Sequence, residues 1–138
     1  MKNLIFVILI ILIVFSLSAE ERYYYKVDKQ IKIDGEIKEI LEAEYKKGKE
    51  NFIELKIFDK SKKEEYLIQV APIWFIENPF MKGEKISVWG SLVKDDKNER
   101  RMIAREIKRE RMEGIMILRD KRGFPMWRGM ERHHKDRM

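Results

Sequence analysis

The sequence predicts an all-β protein built on one barrel of five strands, and three observations predict it. Lys85–Val93 reads KISVWGSLV, in which Ile86, Val88 and Gly90 alternate with Lys85, Ser87 and Trp89. That period of two is the signature of a half-buried strand. Phe52–Phe58 repeats the pattern, with Phe52, Glu54, Lys56 and Phe58 on one side and Ile53, Leu55 and Ile57 on the other. Glu65–Ala71 returns it beyond the charged tip Asp59–Lys63, so the two segments form a hairpin. Third, Gly35 and a phase change near Ile40 break the alternation of Gln30–Lys46. A glycine with a phase slip inside one long strand marks a bend or bulge, the curvature a first barrel strand needs to serve both sides.

The chain of 138 residues is long enough for one domain, which can bury a core without covalent staples. It has no cysteine, which excludes disulfides, thiolate metal sites and cysteine nucleophiles. At the N-terminus Lys2 precedes the unbroken apolar run Leu4–Phe15, then Ser16-Leu17-Ser18-Ala19 and the charged Glu20-Glu21-Arg22. This is the tripartite pattern of a secretory signal. Residues 1–19 are therefore expected to be a signal peptide or an N-terminal anchor, and the remainder exported to the periplasm or cell envelope. About a dozen apolar residues is short of the roughly 20 that a stable span requires, so no membrane insertion is expected after cleavage. The net charge is +6, yet acids and bases are both abundant, as on a solvated surface.

The remaining elements follow in order. Residues 20–29 form a linker carrying Tyr23-Tyr24-Tyr25, expected to pack over a barrel end. Pro72 closes the third strand because it lacks a ladder donor. Ile73–Phe80 is too apolar for an exposed loop and is read as a short helical plug between strands three and four, with Trp74, Phe75 and Phe80 in the core. Arg100–Arg111 has fair helix propensity but is assigned to the fifth strand through about Lys108, which places the barrel at residues 30–111. Residues 112–129 are an extension, with an extra strand near Ile115–Leu118 and a turn-rich stretch, and residues 130–138 a disordered tail.

The strand order, the apolar block before the fourth strand, and the Gly-x-x-x-x-Val-x-Gly step at Gly83–Gly90 together resemble small exported bacterial proteins with OB-type barrels. That resemblance implies a binding module of the envelope without a catalytic centre. The residues agree: His133 and His134 both lie in the tail, and no phosphate loop, HExxH or Gly-x-Ser-x-Gly occurs. The expected ligand is unassigned: an envelope protein or an anionic molecule. A polyanion or single-stranded nucleic acid would use the aromatic and basic residues Phe52, Tyr66, Trp89, Arg100, Arg101, Arg105, Lys108 and Arg109. A third reading is Cu(I), held by Met126, Trp127, Met130, His133 and His134, since thioether and imidazole suit that ion. This set is similar to the ligand chemistry of periplasmic copper chaperones with OB barrels. The haem chaperones share the barrel, but their His-x-x-x-Tyr motif is absent here.

Overall fold

The computed structural model describes residues 23–44 and 51–130. The expected signal segment and the tail with His133 and His134 lie outside these residues. Six strands form: β1 (Gln30–Glu44), β2 (Asn51–Asp59), β3 (Glu64–Pro72), β4 (Lys85–Asp95), β5 (Arg100–Arg109) and β6 (Met116–Ile117). The first five close a barrel. β1 pairs antiparallel with β4 through Gln30–Glu36 and then with β2 through Glu36–Glu44, so one strand contributes to both halves. Closure comes from a parallel pairing of Leu67–Gln69 on β3 with Arg101–Ile103 on β5. The circular order β1-β2-β3-β5-β4 is that of an OB-type barrel.

The hand-over along β1 has the cause expected of it. A Cβ at Gly35 would stand 2.7 Å from the carbonyl oxygen of Phe58, so any larger residue would push β2 away. The register shifts between Ile37 and Glu39, a bulge that bends the strand just beyond that contact. Gly90 has the same function on β4, where a Cβ would collide with the Ile103 carbonyl of β5. The barrel interior is filled by alternate residues of every strand, among them Ile33, Ile37, Leu55, Ile57, Ile68, Val70, Val88, Met102 and Ile107.

The plug is a single 3-10 turn, Ile73–Phe75. Phe80 is buried, Trp74 and Phe75 pack against the core from partly buried positions, and Ile73 remains exposed. β3 extends one residue further than expected and includes Pro72. Helix propensity in Arg100–Arg111 is overridden, because β5 lies between β4 and β3 and buries Met102, Ala104 and Ile107. The three tyrosines separate as an extended segment requires. Arg101 lies over the ring of Tyr23 at 5.1 Å, Tyr24 is exposed, and Tyr25 packs on the C-terminal extension.

Candidate binding groove

Among the described residues a concavity of about 530 Å3 runs along the outer face of β1 and β4 where β1 bends. Alternation aims the lining. Val88 and Ile107 point inward, so Lys85, Ser87 and Trp89 on β4, and Glu106 and Lys108 on β5, point outward. Register then sets cross-strand rows: Asp34 beside Ser87 beside Lys108, and Lys32 beside Trp89 beside Glu106. The far wall is the β2–β3 tip, Phe58–Ser61. Gly35 forms part of the floor because only glycine allows β2 to approach so closely.

Its electrostatics are mixed. Lys60, Lys85 and Lys108 line the groove with Asp34, Glu36, Asp59 and Glu110, and Phe58 and Ile86 add apolar surface. Several carboxylates are already engaged. The Ser87 hydroxyl donates to Asp34, and Lys60 approaches Glu36 at 3.7 Å. Asp59 is buried and accepts from the Ser61 hydroxyl at 2.7 Å and from the Ser61 and Lys62 amides. The Ser61 hydroxyl above all, helped by those amides against the cost of burial, holds the Asp59 carboxyl below its ordinary range. Above the groove, Lys32 sits over the Trp89 ring at 5.2 Å.

The eight residues expected to form a nucleic-acid face are not brought together. Tyr66 is a core residue; its hydroxyl donates to Glu64 at 2.7 Å, and burial first, then that carboxylate, pushes its pKa up to about 12. Arg109 is buried as well, paired with Glu84. Phe52 meets the edge of Trp127 at 5.7 Å at one barrel end. Arg100 pairs with Asp95 and Glu64, Arg101 with Glu99, and Arg105 with Glu106 and the Gln30 side chain. Only Trp89 and Lys108 share the outer face of the groove. Of the soft-metal set, Met126 and Met130 are exposed, whereas Trp127 is 4% exposed and belongs to the core. Among the described residues no group of three or more His, Cys, Asp or Glu is arranged to hold a metal ion.

Arg109, expected on the nucleic-acid face, is instead a buried structural residue, and Arg119 escaped the sequence reading altogether. Arg109 donates to Glu84 from Nε at 2.5 Å and from Nη2 at 3.0 Å, and to the carbonyls of Asn78 and Pro79 at 2.6 and 2.9 Å. Arg119 donates from Nη1 to the carbonyls of Val70, at 3.0 Å, and Ala104, and its guanidinium lies 4.9 Å from the Trp127 ring. Neither pattern has a local sequence signal, because every partner is distant in the chain.

A family model described as the MamS/MamX magnetosome protein family matches residues 29–113, from the edge of β1 to just past β5. No curated protein and no solved structure matches the chain. No helix among the described residues is long and apolar enough to cross a membrane.

Proposed function

The chain belongs to the MamS/MamX magnetosome protein family, and on that premise we propose that it is a non-enzymatic binding module associated with the cell envelope or the magnetosome. Its ligand site is the groove on the outer face of β1 and β4, and its ligand is an extended polypeptide segment carrying both charges. One observation carries this reading: the lining offers three lysines and four carboxylates beside Phe58 and Ile86. A polyanion would face those carboxylates at close range, whereas a segment with lysines and acids of its own pairs with both signs. Apolar side chains between its charges would rest on Phe58. The N-terminal pattern supports delivery to the envelope.

The test is a photo-crosslinking residue placed at Ser87, in the groove, and at Lys97, on the exposed β4–β5 turn, in cells that express the full chain. Cross-linking to a protein at 87 and not at 97 is the expected result. A parallel titration with a single-stranded oligonucleotide distinguishes the polyanion reading. Binding that persists at physiological salt and is lost in a Lys85→Glu, Lys108→Glu variant would replace the polypeptide with a polyanion. The exposure of Met126 and Met130 supports a second, separate reading, Cu(I) held by those thioethers with His133 and His134. It requires that replacing the two methionines abolish Cu(I) affinity while thermal stability is unchanged.

A further inference from the structure

We propose that β6 and the hairpin that follows it, within Ile115–Met130, form a peripheral docking surface for an anionic lipid bilayer, which holds the barrel against the membrane with its cap facing the lipid. The proposal goes beyond the groove reading and does not depend on it. Within Ile115–Met130 the side chains of Ile115, Ile117, Phe124, Met126 and Met130 are about half exposed. A run this short has no folding reason to leave five large apolar groups in water, since Leu118 and Trp127 already anchor it to the core. The cations of the same hairpin are Lys121 and Arg122 at its tip and Arg128, whose guanidinium lies 5.6 Å from the Phe124 ring. The nearby acid, Asp120, is occupied within the tip: its carboxylate accepts from the amides of Arg122 and Phe124 at 2.8 and 3.0 Å. Apolar side chains interleaved with cations in excess over acids are the chemistry of an interfacial membrane contact.

A second observation fixes the direction. Two residues after Tyr23, the first described residue, the ring of Tyr25 rests on Gly123: a Cβ there would stand 2.6 Å from that of Tyr25. Gly123, with φ +91°, is the residue that turns the tip toward Phe124. The start of the described chain therefore passes the tip of the hairpin at Tyr25. Nine residues lie between Phe15 and Tyr25, a reach of at most about 36 Å. A bilayer that holds the apolar run therefore lies within about that distance of Tyr25, which packs on Gly123 between Arg122 and Phe124. The exposed ring of Tyr24 sits at the same junction and suits the headgroup region.

The absence of native cysteine makes the test direct. A polarity-sensitive dye is attached to the full chain at Phe124→Cys or, as a control, at Lys97→Cys, and vesicles contain lipids with a quencher at shallow acyl depth. An uncleaved apolar N-terminus would by itself recruit both labelled proteins to vesicles, so recruitment decides nothing and depth is the readout. Expected are a blue shift and strong quenching at 124 on vesicles with anionic lipid, neither at 97, and loss of both at 124 when Lys121, Arg122 and Arg128 are changed to Glu. A dye at 124 that stays in water on anionic vesicles overturns the proposal. Equal quenching on neutral and anionic vesicles, or no loss in the charge-reversed variant, overturns it equally, because the cations would then have no part. A protein partner on this surface would give the first of these overturning results.

Discussion

The Glu84–Arg109 pair gives the sharpest stability prediction. Their side chains are 1% and 2% exposed, and they meet through two hydrogen bonds in a fork geometry. Arg109 also bonds the carbonyls of Asn78 and Pro79 and lies 4.4 Å from the Phe80 ring, so it fixes the path from the plug into β4. Replacing Glu84 by Met leaves a buried guanidinium facing only neutral carbonyls and one ring. Breaking a buried pair in this way costs about 3–5 kcal/mol. Replacing Arg109 by Met is expected to cost less, because Glu84 keeps Arg111 at 3.4 Å and the Met81 amide at 3.1 Å. In the double variant no charge is left unpaired, and stability should return to within about 1–2 kcal/mol of the parent. Urea unfolding of the three variants, followed by tryptophan fluorescence, closes the cycle. The reasoning fails if Arg109→Met is the more damaging change, or if the double variant loses the sum of the singles.

Other expectations follow from the same geometry. Trp127→Ala removes a ring packed 5.4 Å from Phe75 and 5.7 Å from Phe52, and should cost about 3–5 kcal/mol in thermal unfolding, whereas Met126→Ala should be nearly silent. Burial alone would raise the Glu84 carboxyl, but the Arg109 and Met81 hydrogen bonds and the charges of Arg109 and Arg111 hold it below 4.5; Asp59 is likewise held below 3.8. Both groups bind protons more readily unfolded than folded, so their stabilisation is complete above those values and is lost as pH falls through the depressed folded ones. Urea midpoints measured across an acid titration should begin to fall below about pH 4.5, and Glu84→Gln should flatten that fall. Raising the pH tests Tyr66, whose phenol should remain neutral in ultraviolet difference spectra until about pH 12.

What the sequence made legible was whatever local period and local sterics control. Ile53, Leu55 and Ile57 alternate inward because a half-buried strand must do so, and Gly35 and Gly90 mark close crossings because a Cβ at either would strike a neighbouring strand. The expected bend in β1 is a bulge at Ile37–Glu39, close to where the phase changes. Side-chain roles set by distant partners were not legible. Arg105 and Arg109 are both arginines of β5 with glutamates adjacent in sequence, yet one is half-buried beside Glu106 and the other is sealed against Glu84, 25 residues away. Tyr66 alternates in phase with Ile68 and Val70 and is interior with them, so its assignment to a ligand face went against its own period. The groove required knowing that Asp34 sits opposite Ser87, a register fixed by the whole barrel and by no short motif.

The same limit explains the C-terminal extension, in which turn residues alone suggest a loose appendage. The parallel seam that closes the barrel has only three pairs, ending at Gln69 and Ile103. The next carbonyls on each strand, Val70 and Ala104, both accept from one nitrogen of Arg119. An arginine side chain thus continues the seam where the strands no longer bond each other, and a buried carbonyl without a donor would cost about 1–3 kcal/mol. Trp127 then covers that guanidinium and fills the barrel end against Phe52 and Phe75. Arg119→Met should therefore weaken the seam as well as the cap. In hydrogen exchange, the amides of Leu67–Gln69 and Arg101–Ile103 should lose protection along with those of the extension. Loss confined to residues 114–130 would mean that the barrel closes without it.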